Sequence, residues 1–101
     1  MYITMNRFQV NSERGGEFEE IWRTRESHLG EAPGFVEFHF LRGDDGDYIS
    51  HTLWQSKEAF DNWVESEAFT KAHARAHGTP KEIFNGPPQF TAYEVLLSQT
   101  K

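Results

Sequence analysis

The chain has 101 residues, with 16 acidic against 10 basic residues, a formal charge of −6 and no cysteine. This balance, without any Lys/Arg run, argues against a surface that neutralises phosphates or anionic lipid, so neither nucleic acid nor a membrane is an expected partner. The missing thiols exclude disulfides, thiolate catalysis and cysteine-ligated zinc or iron–sulfur centres, and nothing in the composition demands an oxidising compartment. A single domain over residues 1–101 with a small core is expected, in a soluble cytoplasmic protein, because no window is long and apolar enough to span a bilayer.

Residues 2–10, YITMNRFQV, alternate so that Tyr2, Thr4, Asn6, Phe8 and Val10 share one face, which predicts a first strand. Ser12 and Glu13 can open a helix on which Phe18, Ile21, Trp22, Arg25 and Leu29 fall at helical spacing, with Gly30 placed to close it. After the turn signal Ala32-Pro33-Gly34 comes FVEFHFLR, in which Val36, Phe38 and Phe40 alternate with Glu37 and His39. The run RGDDGD reads as a hairpin loop into the strand YISHTLWQ, and Ser56 caps a second helix that begins KEAF. GTPKEIFNGPPQ holds three of the four prolines and is irregular; FTAYEVLL is a final strand.

The order β-α-β-β-α-β predicts an α+β, ferredoxin-like sheet with both helices on one face. An aromatic content of 15% looks too high for a one-sided core in so short a chain. We therefore expect a homodimer in which two sheets stack to give a dimeric α+β barrel.

The second helix contains the oddest residues. Phe60, Trp63 and Val64 make one apolar stripe and Phe69, Ala72, His73 and Ala76 another, out of phase with the first. Ser66-Glu67 between them reads as a fresh N-cap, which predicts a kink or break there. His73 stands beside the small Ala72 and Ala76, leaving room next to its imidazole, but a histidine on the apolar edge of a helix is commonly a hydrogen-bonded structural residue. His73 and His77 have the i, i+4 spacing of two ligands on one helical face, without the glutamate of an H-E-x-x-H zinc site. Trp63 reads equally as core. Asn6 is unusual because asparagine is depleted in strands, and an amide on an apolar face needs a partner from backbone, water or ligand. His28, His39 and His51 read as structural or solvated.

N-R-F at residues 6–8, E-A-P-G-F at 31–35, L-W-Q-S-K-E-A-F-D-N-W at 53–63 and F-T-K-A-H at 69–73 resemble the IsdG-type haem-degrading monooxygenases of the antibiotic biosynthesis monooxygenase superfamily. The resemblance runs through nearly the whole chain in order, and the combination of Asn, Trp and His is its most specific part. It implies a haem-degrading monooxygenase in which haem is both cofactor and substrate, dioxygen opens the ring, and iron is released. It implies His73 as the axial ligand of the haem iron, Asn6 as the distal amide near bound dioxygen, and Trp63 as the bulky residue pressing on the porphyrin. Electrons must come from an external donor, a reductase or a small reductant, since no flavin or nicotinamide fingerprint is present. His77 is the backup ligand, and the proline-bearing loop after it is expected to border the haem edge. The alternatives are a cofactor-free quinol-type monooxygenase, with His73 as base or hydrogen-bond donor, and a non-catalytic haem-binding protein.

Overall fold

The computed structural model describes residues 1–25, 27–74 and 79–101, and the side chains of 72–74 are outside what it describes. Strands β1 (Tyr2–Gln9), β2 (Phe35–Arg42), β3 (Asp47–Trp54) and β4 (Gln89–Glu94) form one antiparallel sheet in the order β2-β3-β1-β4. Helices α1 (Gly15–Thr24), α2 (Lys57–Val64) and α3 (Glu67–Ala74) complete the predicted β-α-β-β-α-β order, with the second helix split in two.

The register shows why one face is the core. Tyr2, Thr4, Asn6 and Phe8 of β1 stand opposite Trp54, Thr52, Ser50 and Tyr48 of β3, and those four β3 residues are all buried while their neighbours are half-exposed. Two clusters fill the space under the helices. Val10, Phe18, Tyr48 and Ile83 form one, joined by Phe8, Trp22, Phe40 and Phe84. Leu29, Trp54 and Trp63 form the other, joined by Phe35, Phe38, Phe60 and Phe69.

Four expectations are corrected. Helix α1 ends at Thr24, whose hydroxyl donates to the Glu20 carbonyl at 2.9 Å, and Arg25 is already extended at φ −70°, ψ 146°. Leu29 is therefore not on that helix; it starts a short 3-10 turn, Leu29–Glu31, which also contains Gly30 and drops Leu29 into the Trp54 cluster. Second, the β2 register shifts between Phe35 and Glu37, so Val36 does not share the face of Phe38 and Phe40 and is 39% exposed. The bulge lets Phe35, Phe38 and Phe40 all face the helices.

Third, the aromatic excess serves the helix side. The opposite face carries Ile3, Met5, Ile49, His51 and Leu53, with Tyr93 at its edge, so aromatic content was a poor argument for a second packed face. The late loop is described from residue 79 onward. Its 3-10 turn Lys81–Ile83 buries Ile83 completely against Val10, Phe18 and Tyr48. Fourth, strand β4 is shorter than expected: the Val95 amide still reaches the Met1 carbonyl at 3.0 Å, but Leu96 and Leu97 are 91% and 88% exposed.

Among the described residues no helix is long and apolar enough to cross a membrane.

Candidate functional site

A cleft of about 350 Å³ opens between the sheet and the helices. Its floor is the middle of β1 and β3, where Thr4, Asn6, Ser50 and Thr52 put small polar side chains at positions that would otherwise be filled by core residues. Its walls are aromatic: Trp22 and Phe38 on one side, Trp54, Phe60 and Trp63 on another, and Phe69 and Phe90 at the rim. Large rings standing on a floor of hydroxyls leave a void between them. The Trp54 indole N–H donates to Thr4 Oγ1 at 3.2 Å, which satisfies the buried indole and fixes one wall.

Asn6 lies in register with Ser50 on one side and Phe90 on the other and lines the cleft. Trp63 lines it too, although it is only 7% exposed and packs against Trp54 and Phe69 with centroids 6.1 and 5.9 Å away. Core and pocket were opposed readings of this residue, and it is both. A loss of stability in a Trp63 variant therefore does not speak against a role in the cleft.

The break between α2 and α3 is where the sequence places it. Ser66 Oγ accepts from the Phe69 amide at 3.1 Å and donates to the Trp63 carbonyl at 2.6 Å, ending one helix and capping the next. The bend sets Trp63 and Phe69 edge to face at 89°. His73 follows four positions after Phe69, in the last turn of α3; its side chain lies outside the described residues, and His77 lies outside them altogether.

The sequence reading missed Arg25. Its guanidinium carbon lies 3.9 Å above the Trp22 ring and 5.7 Å from Phe38, at the mouth of the cleft beside Ser27 and His28. Burial lowers its pKa from the ordinary arginine value, and an arginine remains cationic even so. The signal was present: a cation among the apolar positions of α1 invites a cation–π or anion contact. The hydroxyl floor also had a signal, in Thr4, Ser50 and Thr52 sharing strand faces with Phe and Trp. Among the described residues, no group of three or more His, Cys, Asp or Glu could hold a bare metal ion.

Residues 1–75 match the antibiotic biosynthesis monooxygenase family. The chain belongs to that family. Among its relatives, the mycobilin-producing haem oxygenase of Mycobacterium tuberculosis is 32% identical over 80 residues, 77% of this chain and 75% of the relative. A haem-degrading monooxygenase of Listeria welshimeri is 36% identical over 59 residues, 54% of this chain and 49% of its own. In three dimensions the chain superposes on the M. tuberculosis haem degrader MhuD, solved with two haems bound in its active site. The TM-score is 0.77, with 26% identity over 99% of this chain and 100% of MhuD. SnoaB of Streptomyces nogalater, a cofactor-independent oxygenase, shares the fold at a TM-score of 0.74 and 19% identity.

Proposed function

We propose that this family member is a haem-degrading monooxygenase whose substrate occupies the aromatic cleft. The observation that carries the reading is the cleft's donor set. Aromatic walls suit a flat macrocycle, Arg25 at the mouth suits its carboxylates, and the Asn6 amide makes no hydrogen bond to any described protein group. An amide donor on the floor of an aromatic-walled cleft can orient a bound ligand. Likeness to relatives that degrade haem supports the same reading.

Haem, when bound, supplies both the iron at which dioxygen is reduced and the ring that is oxidised. The protein's part is to exclude water with Trp54, Trp63 and Phe60, to hold the ring's carboxylates at Arg25, and to donate a neutral hydrogen bond from Asn6. His73, in the last turn of α3, is the proposed iron ligand. Trp63 is the proposed distorting wall, and an external reductant supplies electrons. The half-buried Ile3, Met5, Ile49 and Leu53 on the open sheet face support a homodimer, which a monomeric mass in micromolar solution would overturn.

Hemin titration tests the assignment. A Soret band should form, and anaerobic loading followed by air and reductant should bleach it. His73→Ala should lose most of the affinity while His77→Ala keeps it. If the spectrum stays that of free hemin, the haem reading fails and the cofactor-free oxygenase becomes the favoured alternative; if the protein-bound band survives air and reductant, the chain is a haem carrier.

A further inference from the structure

Two aromatic residues of the cleft also belong to a second opening. Trp22 and Phe38 line both the cleft described above and a neighbouring one of about 490 Å³, whose other residues are Glu19, Arg23, Phe40, Arg42 and Tyr48. Between the two runs a stack of nearly parallel rings. Trp22 lies on Phe40 with centroids 4.6 Å apart and planes 12° from parallel, and Phe40 lies on Tyr48 at 5.5 Å and 8°. Phe18 bridges the same pair from below, 6.2 Å from Trp22 and 5.2 Å from Tyr48.

The far end of the stack is equipped for a proton. Tyr48, 3% exposed, donates its hydroxyl to Glu19 Oε2 at 2.6 Å. Glu19 is held in turn by Arg42 at 3.2 Å and keeps 17% side-chain exposure. The hydroxyl fits because residue 15 is glycine: a Cβ there would stand 2.8 Å from it. Burial and the Glu19 contact push the Tyr48 pKa up to about 12, so the resting phenol is protonated and must shed its proton to be oxidised. A second aromatic row leaves the cleft through Trp63, Trp54 and Phe60 to Tyr2, but among the described residues no carboxylate accepts from the Tyr2 hydroxyl.

We propose that Trp22 and Tyr48 carry stray oxidising equivalents out of the cleft, with Glu19 as the proton acceptor. The inference rests on oxygen chemistry taking place in the cleft. A one-electron oxidant formed there, from hydrogen peroxide for example, takes an electron from Trp22 and is reduced by one equivalent. Trp22 recovers that electron from Tyr48 across the Phe40 or Phe18 ring, while the phenolic proton passes to Glu19. The neutral tyrosyl radical is then reduced by the external donor, and Glu19 returns the proton. Phenylalanine rings are too hard to oxidise to hold the charge themselves, so they act as bridges. Substrate-site side chains are thereby spared.

The test uses ferric hemin-loaded protein, hydrogen peroxide and freeze-quench EPR. The chain has three tyrosines, so Tyr2→Phe/Tyr93→Phe leaves Tyr48 as the single one. This double variant should retain the wild-type tyrosyl signal. Tyr48→Phe and Trp22→Phe should each abolish it, Glu19→Gln should lower its yield severalfold, and Tyr48→Phe should raise oxidised Trp22 severalfold by peptide mass spectrometry. A tyrosyl signal that survives Tyr48→Phe or Trp22→Phe overturns the path, as does the absence of any protein radical. If hemin does not bind, the haem reading fails by itself. The path is then tested on the haem-free double variant with photogenerated ruthenium(III) tris-bipyridine. That oxidant is too bulky to touch buried Tyr48, so its tyrosyl yield should depend on Trp22; a yield unchanged in Trp22→Phe overturns the proposal.

Discussion

Replacing Trp63 by alanine should measure how much of the fold depends on the cleft wall. The indole is 7% exposed and shares a cluster with Leu29 and Trp54. Burial of roughly 150–250 Å² of aromatic surface at about 25 cal/mol per Å² gives a gross contribution of about 4–6 kcal/mol, and large-to-small aromatic changes in cores cost about 3–5 kcal/mol. One side of this indole already borders the cleft, so part of the void exists in the native protein and little is added to it. The expected cost is therefore at the lower end, about 3 kcal/mol, and for a domain of this size that lowers Tm by about 12–24 °C. Trp63→Phe keeps a ring edge for Phe69 and should lose no more than about half as much. Far-UV circular dichroism is the right assay, because fluorescence loses one of its own reporters. A Trp63→Ala protein that melts within about 4 °C of wild type, less than about 1 kcal/mol, would show that Trp54 and Phe69 close the wall without it.

Other substitutions separate chemistry from folding. Asn6→Ala should bind hemin normally and degrade it ~10²–10³ times more slowly in a stopped-flow Soret assay, the usual effect of deleting a preorganised donor; an unchanged rate would remove Asn6 from the reaction. Gly46 has φ +81°, and a Cβ there would meet the Val10 carbonyl oxygen at 1.9 Å. Gly46→Ala should thus cost at least about 1–3 kcal/mol in urea denaturation, with hemin binding by the refolded protein intact. The pH dependence follows from Tyr48, whose pKa rises from 10.0 in the unfolded chain to about 12 in the fold. Its contribution is fully present below pH 10 and is lost as pH climbs towards about 12, so unfolding midpoints should fall over that window. Tyr48→Phe should flatten this part of the curve, and an equal slope in both proteins would contradict the assignment.

Much of this protein is determined locally. The alternation in YITMNRFQV and YISHTLWQ assigns strand faces because successive side chains point to opposite sides, and the observed pairing of Asn6 with Ser50 and of Thr4 with Thr52 follows those faces. Ser66 announced the break between α2 and α3 because a hydroxyl that can satisfy a free helical amide is a local chemical signal. The motif residues Asn6 and Trp63 could be singled out because an amide on a strand face and an indole on a surface helix are each out of place.

Only the tertiary structure decided the rest. Thr24 ends α1 and Arg25 leaves the helix to lie on Trp22, an exchange of helical hydrogen bonding for a cation–π contact that helical spacing cannot foresee. The bulge at Val36 turns three phenylalanines to one side, since register is settled across strands and not along them. The cleft belongs to no single element. It exists because β1 and β3 bring four small polar side chains side by side beneath aromatic rings from both helical segments, and the volume left between them is a property of contacts far apart in the chain.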